Sequence, residues 1–177
     1  MASPSSSNSA LFSSNATNEN PMPSCILVAN ANDPSGAGGL TADIATVISV
    51  GGHAVSIVTG SYTRDTSEMF DHCSLDSDSV TEQARAALED LPVQAIKIGF
   101  VGSPENIAAL AEMTSDYAPL PVISSMPNLS WWQDDRIDQY LDAFEELMLP
   151  QTTVLVGNHS TLWRWLLPDW KSETSPT

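Results

Sequence analysis

The sequence predicts a three-layer α/β fold, in which helices cover both faces of a mainly parallel β-sheet. Short apolar runs, the first of them at 25–30, alternate along the chain with segments whose apolar residues recur at helical spacing. Glycine-containing polar segments follow several of these runs, where strands are expected to end. A parallel sheet needs crossover helices, and these helices cover its two faces.

The first strand and the turn after it carry the strongest functional signal. Residues 33–39 contain Pro34 and three glycines, and they open a helix that is predicted to end near Val50. Glycine permits positive φ and close approach of a ligand, and the N–H groups at a helix start favour anions or polar atoms. We expect Asp43 to point back toward whatever the turn holds. A purely structural role explains the glycines equally well, because the spacing matches no nucleotide-binding motif.

The later elements follow the same alternation. We predict strands at 54–59, 95–98, 120–123 and 153–156, an irregular segment with a short hairpin at 60–75, and helices at 79–90, from 103, at 135–149 and at 160–167. Gly51 and Gly52 are expected to end the first helix. Ser79 is expected to cap the second helix, with Glu82 completing a capping box. Ligands of such sheets bind at the carboxyl ends of the strands.

Composition separates one domain from two tails. We assign residues 24–170 to a single α/β domain, 1–23 to a disordered tail rich in Ser, Asn and Pro, and 171–177 to a frayed C-terminus. The tail resembles neither a signal peptide nor a mitochondrial presequence. Two cysteines indicate no disulfide framework, and no segment is long and apolar enough to cross a membrane. We therefore predict a cytoplasmic protein.

The charge balance limits the possible partners. The formal net charge is −16, and the six Lys and Arg residues are scattered along the chain. This argues against binding to nucleic acid or to an anionic membrane. No Cys/His spacing fits a zinc site, and the acidic loop with Asp71, Asp76 and Asp78 matches no calcium loop. We predict no metal site.

The loops together resemble those of the hydroxymethylpyrimidine and phosphomethylpyrimidine kinases of thiamine biosynthesis, which have a ribokinase-like fold. N-D-P-S-G-A-G at 32–38 resembles the family's D-P-S-G-G-A-G turn, and T-A-D at 41–43 resembles its Q-A-D. K-I-G-F at 97–100 resembles its K-I-G-M, and the strand at 154–158 resembles the one that ends in T-P-N. The resemblance covers about residues 25–160.

The resemblance implies a pocket for a pyrimidine and, in an active kinase, ATP and Mg²⁺ as cofactors. Carried over by position, the substrate-binding residues are Gly38, Asp43, Tyr62, Arg64 and Phe100. Asp43 is expected to face the polar end of the pyrimidine. Tyr62 and Phe100 are expected to supply flat apolar surfaces for the ring.

The chain departs from the family pattern at several positions. Arg64 stands where the family has Gln or Glu, and a guanidinium only donates hydrogen bonds. Tyr62 replaces a small aliphatic residue and is expected to fill the pocket. S-S-M-P at 124–127 replaces D-P-V-M. No glycine follows Gly157, so the family's G-T-G-C segment, with its anion hole and catalytic group, is missing; we expect a C-terminally shortened member and assign no catalytic residue.

Three hypotheses for the function remain open. The chain is an active kinase of the pyrimidine precursor, a non-catalytic relative that binds a pyrimidine or acts as an interaction or regulatory subunit, or a fragment without a function of its own.

Two roles are also open for the tryptophans, which either cover the core or form a subunit interface: Trp131, Trp132, Trp163, Trp165 and Trp170. Residues 154–156 are expected to be an edge strand, which makes a homodimer a secondary prediction. Lys97 either lines one sheet face or reaches the ligand crevice.

Overall fold

The computed structural model describes residues 22–166, in which strands and helices alternate as predicted. The strands are β1 (Cys25–Asn32), β2 (His53–Arg64), β3 (Met69–Ser74), β4 (Val93–Ile98), β5 (Val122–Met126) and β6 (Val154–Gly157). The helices are α1 (Gly39–Ser49), α2 (Ser77–Asp90), α3 (Pro104–Asp116), α4 (Asp134–Ala143) and α5 (His159–Leu166). Almost all of the predicted N-terminal tail, the predicted frayed C-terminus and Trp170 lie outside the described residues.

The sheet has six strands in the order β3-β2-β1-β4-β5-β6, and every neighbouring pair is parallel except β2 and β3. From β1 the chain moves to β2 on one side, and it then returns across β1 to β4, β5 and β6 on the other side. Because right-handed crossovers in opposite directions place their helices on opposite faces, α1 covers one face and α2 to α4 cover the other. This confirms the predicted three-layer fold.

The core is built around β1, which is buried along most of its length. Leu27 and Ala29 are fully buried and belong to the main apolar cluster, together with Ile96 and Ile98 of β4. Val28 is also fully buried but points to the other face, under α1, because side chains alternate along a strand. Burial on both faces explains why this strand reads as a continuous apolar run.

The segment after the second predicted strand is more regular than expected. β2 continues to Arg64 and pairs antiparallel with β3, so the predicted hairpin is present but the irregular interpretation of 60–75 was wrong. Tyr62 is buried, while its neighbours Ser61 and Thr63 are exposed. This alternation is typical of a half-buried strand, but small polar residues concealed it in the sequence.

The N-cap residues of α2 and α3 are Asp76 and Ser103. Asp76 is the N-cap of α2, because its Oδ1 accepts a hydrogen bond from the Ser79 N–H at 2.9 Å. The predicted capping box of Ser79 and Glu82 was therefore wrong, and the helix begins two residues earlier than predicted. Aspartate is as good a cap as serine, and its charge also suits the helix dipole. α3 begins as predicted, with Ser103 as its cap.

The region from 120 to 151 also differs in detail from the prediction. β5 begins at Val122 because Pro121 has no N–H to donate to a neighbouring strand. The predicted helix at 135–149 is α-helical only to Ala143, and Phe144–Met148 forms a π-helical turn. Pro150 cannot donate the next helical hydrogen bond, and a short 3₁₀ turn at Leu149–Gln151 follows.

Aromatic residues cover the end of this core. Trp131, Trp132 and Trp165 are half-buried against it, as the core-covering interpretation expects. Trp163 stacks on His159, with ring centroids 5.3 Å apart. The alternative subunit interface stays a prediction. Among the described helices, none has both the length and the apolar character that a membrane crossing requires.

β6 lies at one edge of the described sheet, as predicted for residues 154–156. Val154 and Val156 are 49% and 52% exposed. The homodimer stays a prediction, and light scattering tests it. We expect the mass to rise with protein concentration and Val156→Lys to keep the chain monomeric, because a charge on an edge strand opposes pairing. A wild-type mass that is independent of concentration would contradict the homodimer.

Candidate functional site

The site lies at the carboxyl ends of β1 and β4, where the direction of the chain across the sheet reverses. Ligands of open α/β sheets bind at such a switch point. A cavity of about 280 Å³ opens here, and four of the predicted site residues line it: Gly38, Asp43, Tyr62 and Phe100. Arg64, the fifth, lines a neighbouring cavity of about 380 Å³. Tyr62 and Gly38 line both cavities, so the Tyr62 side chain belongs to the partition between them.

The glycine-rich turn has one strict requirement for glycine. Gly39 has φ +58°, and a Cβ at this position would lie 2.5 Å from the carbonyl oxygen of Ala31. Gly36 also has positive φ, whereas Gly38 is extended at φ −153°, so only two of the three glycines use the left-handed region. Gly38 is the N-cap of α1, and no side chain caps this helix start.

Asn30, which the sequence analysis missed, ties the two central strands together. Its Oδ1 accepts hydrogen bonds from the backbone N–H groups of Ala31 and Phe100, at 2.9 and 3.0 Å. Its Nδ2 donates to Asp43 Oδ2 at 2.7 Å. A Cβ at Gly99 would overlap the Asn30 amide, which gives this glycine a packing reason. The available signal was a polar residue in an otherwise apolar strand.

Lys97 forms an ion pair with Asp43. The two alternatives predicted for Lys97, a place on one sheet face and a place in the ligand crevice, are both realised. Its side chain lies on the α1 face of β4 and also lines the cavity. Lys97 Nζ and Asp43 Oδ2 are 2.5 Å apart, and the two side chains are 18% and 23% exposed. Asp43 Oδ1 accepts no hydrogen bond from the described residues. The carboxylate therefore has one oxygen with which it can accept from a ligand.

Arg64 and Asp33 form a second ion pair beside the first cavity. Arg64 Nη1 lies 3.2 Å from Asp33 Oδ2, and the Asp33 side chain is only 1% exposed. The Arg64 Nε donates to the carbonyl oxygen of Asp65 at 2.9 Å. Arg64 thus has an internal carboxylate as its partner, which the sequence analysis did not anticipate. The pair links residues 31 positions apart, so no local pattern indicates it.

Tyr62 and Phe100 stack on each other, with ring centroids 5.6 Å apart and an angle of 19° between the planes. Both residues line the cavity, and one face of each ring packs against the other ring. Trp132 and His72 also pack on Phe100, with centroids at 5.2 and 4.8 Å. The Tyr62 hydroxyl is protonated at neutral pH, as in any tyrosine, and can donate a hydrogen bond; burial raises its pKa further.

His72 lies half-buried against this aromatic group, in contact with both Tyr62 and Phe100. Burial lowers its pKa from 6.5 to about 4. Its Nε2 is enclosed and has no hydrogen-bond partner among the described residues. The imidazole therefore acts as a neutral packing group behind Phe100.

Acidification is expected to destabilise the chain between pH 6.5 and 4 through His72. In this range the unfolded chain binds a proton on the imidazole and the folded chain does not, so stability rises with pH. We expect His72→Phe to flatten this part of the pH profile, measured by urea denaturation at several pH values. His53→Gln, at an exposed histidine, is the control for the loss of an imidazole, and the profiles of the two variants are compared. An unaltered profile in His72→Phe would contradict this role.

Three further features bear on the placement of the site. No cluster of three or more potential metal ligands occurs within residues 22–166. Ser124, at the position of the family's aspartate, is buried and hydrogen-bonds Thr152 Oγ1 at 2.8 Å. A larger groove of about 860 Å³ lies between α2 and α3, but it contains no residue from the carboxyl ends of the strands. We place the candidate site in the cavity of about 280 Å³ because it lies at the β1–β4 switch point.

Comparison with known proteins identifies the class to which this site belongs. The sequence matches the family model described as Phosphomethylpyrimidine kinase over residues 33–174, and the chain belongs to this family. It is 26% identical over 137 residues to the hydroxymethylpyrimidine/phosphomethylpyrimidine kinase of Streptomyces coelicolor. The matched residues cover 77% of this chain and 51% of that protein. A putative pyridoxine kinase of Treponema pallidum is 27% identical over 136 residues, which covers 75% of this chain and 51% of the relative. The chain spans about half the length of these curated relatives.

Solved structures confirm the ribokinase-like fold. The phosphomethylpyrimidine kinase of Clostridium difficile 630 superposes with a TM-score of 0.74 at 22% identity, covering 84% of this chain and 66% of that one. The pyridoxal kinase of Staphylococcus aureus, in complex with AMP-PCP and pyridoxal, superposes with a TM-score of 0.69 at 21% identity, covering 81% and 51%. These similarities establish the architecture in which the cavity lies.

Proposed function

We propose that this chain binds a small hydroxymethyl-substituted heteroaromatic compound, of the kind that its family is named for, in the cavity between Asp43 and Tyr62. One observation carries the proposal. At the β1–β4 switch point, a carboxylate with an available oxygen and an ammonium group lie in the same cavity as two aromatic rings. Small-molecule sites typically combine apolar surface with a few directional polar groups in this way.

The chemistry of these groups fits an aminopyrimidine. Asp43 accepts a hydrogen bond from an exocyclic amino group, and Lys97 and the Tyr62 hydroxyl donate to ring nitrogens or to the hydroxymethyl oxygen. The volume of about 280 Å³ is just below the usual range of roughly 300–1,000 Å³ for small-molecule sites. The cavity therefore suits a single substituted ring rather than a nucleotide.

We further propose that the chain binds its ligand without transferring a phosphoryl group, and so has no use for ATP and Mg²⁺. Phosphoryl transfer needs positive charge positioned at the γ-phosphate. The two cationic side chains described at the cavities, Lys97 and Arg64, are each already paired with a carboxylate. This arrangement supports the non-catalytic alternative over the active kinase.

Isothermal titration of the chain with hydroxymethylpyrimidine, and separately with ATP and Mg²⁺, tests both parts of this proposal. We expect binding of the pyrimidine, no binding of the nucleotide and no ADP in a coupled assay, in which an active member of the family serves as the control. Binding of both ligands with release of ADP would overturn the non-catalytic part alone. Binding of neither would overturn the assignment of the cavity.

A further inference from the structure

Asn30 is a buried amide that connects two residues of the candidate site. It is 6% exposed and lines the cavity at the carboxyl ends of β1 and β4. Its Oδ1 accepts a hydrogen bond from the Phe100 N–H at 3.0 Å, and its Nδ2 donates to Asp43 Oδ2 at 2.7 Å. Phe100 and Asp43 line the same cavity but come from the loop after β4 and from α1. A single side chain thus holds residues from two separate parts of the fold.

The hydrogen bonds fix which way round the Asn30 amide lies. Its Oδ1 also accepts from the Ala31 N–H at 2.9 Å, so the oxygen faces two donors while the Nδ2 faces a carboxylate. A reversed amide would place its NH₂ group against two N–H groups and its oxygen against Asp43. This position therefore needs a side chain that both accepts and donates. An ionised aspartate or an alanine would supply no donor for Asp43.

Asp43 is held through one of its two oxygens. Asn30 Nδ2 and Lys97 Nζ both donate to its Oδ2, at 2.7 and 2.5 Å. Its Oδ1 accepts no hydrogen bond from the residues that the structure describes. Because two donors on the same oxygen restrict rotation of the carboxylate, Oδ2 stays with the protein and Oδ1 is left for a ligand in the cavity.

We infer that Asn30 is a positioning residue of this site. It holds Asp43 by Oδ2, which keeps Oδ1 available to the ligand, and it holds the Phe100 N–H, which fixes the place of the Phe100 ring relative to that oxygen. The inference rests on the proposed function and deepens it. Its consequence is a preference for a ring that offers an N–H donor, because a carboxylate oxygen only accepts.

Titration calorimetry with a matched pair of compounds tests the inference. One is hydroxymethylpyrimidine, which carries an exocyclic amino group, and the other has hydrogen in place of that group. We expect the wild type to bind the amino compound at least about tenfold more tightly. Asn30→Ala should weaken the amino compound about fivefold and change the other by less than about twofold, so that most of the preference is lost. A merely structural role would weaken both compounds equally or leave both unchanged.

A double variant tests whether Asn30 acts through Asp43. Asn30→Ala/Asp43→Asn should bind the amino compound no more weakly than Asp43→Asn alone, because the carboxylate that Asn30 positions is already lost. Additive losses in the double variant would contradict the positioning role.

Asn30→Asp provides an independent variant in case Asn30→Ala fails to fold. It keeps the shape of the side chain and an acceptor for the Phe100 N–H, but it replaces the donor to Asp43 with a second carboxylate. It should therefore also lose most of the preference for the amino compound.

Asn106→Ala is the matched control for removal of a buried amide. Asn106 is fully buried, and its Nδ2 donates to the carbonyl oxygens of Leu75 and Val101 at 3.1 and 2.8 Å. It lines neither cavity of the site. We expect this variant to be less stable and to keep the wild-type preference.

The outcomes separate the inference from the proposed function. A wild type that binds both compounds equally overturns the inference, and so does an Asn30→Ala variant that keeps the wild-type preference. In both cases hydroxymethylpyrimidine still binds, and the proposed function stands. If the wild type binds neither compound, the proposed function fails and the inference falls with it.

Discussion

Replacing Gly39 with alanine is expected to lower the free energy of unfolding by about 3 kcal/mol. The backbone of Gly39 has φ +58°, which an L-residue adopts only with strain. The new Cβ would also lie 2.5 Å from the Ala31 carbonyl oxygen and 2.9 Å from the Asp33 Cβ. Both neighbours belong to the end of β1 and the turn, so relieving the overlap would disturb the site itself. Urea denaturation measures this loss.

Gly36→Ala is the matched control for that experiment. Gly36 has φ +71°, but a Cβ there would have no atom within 4 Å. It therefore shares the backbone strain and lacks the overlap, and we expect a loss of only about 1 kcal/mol. Equal losses in the two variants would contradict the idea that close packing against β1, rather than conformation alone, requires glycine at position 39.

The largest effect on binding is expected from Asp43→Asn. This substitution should weaken the binding of hydroxymethylpyrimidine by about 2 kcal/mol, which raises Kd roughly 30-fold. The carboxylate holds Lys97 and Asn30 through one oxygen, and in the proposed function the other oxygen accepts a hydrogen bond from the ligand. An asparagine amide carries no charge for Lys97, and its NH₂ group replaces one of the two acceptors. Titration calorimetry measures the loss.

Asp90→Asn is the matched control for this binding experiment. Asp90 is exposed at the end of α2 and lies outside both cavities, so the substitution makes the same chemical change without touching the site. We expect wild-type affinity. If Asp43→Asn binds as tightly as Asp90→Asn, the ligand does not use the Asp43 carboxylate.

Much of the central unit was predictable because its signals are local. The apolar run of β1, the glycine-rich turn and the helical spacing after it follow one another directly in the sequence. Asp43 and Gly38 could therefore be placed near each other, since a strand, a turn and a helix start fix their positions. The same alternation predicted a mainly parallel sheet with helices on both faces.

The partners of the charged residues could not be predicted in the same way. Arg64 meets Asp33 only because β2 extends beside β1 past the length that the apolar pattern indicates. Lys97 meets Asp43 across 54 positions, through packing of α1 on the sheet. Such contacts depend on strand register and helix placement, which a single sequence does not specify locally. The stacking of Tyr62 on Phe100 depends on the same register.

A crystal structure of the chain grown with hydroxymethylpyrimidine tests the central claim most directly. We predict density for one ring in the cavity at the ends of β1 and β4, with its amino group within hydrogen-bond distance of Asp43 Oδ1. A ring bound elsewhere, such as in the groove between α2 and α3, with this cavity empty, would contradict the assignment of the site.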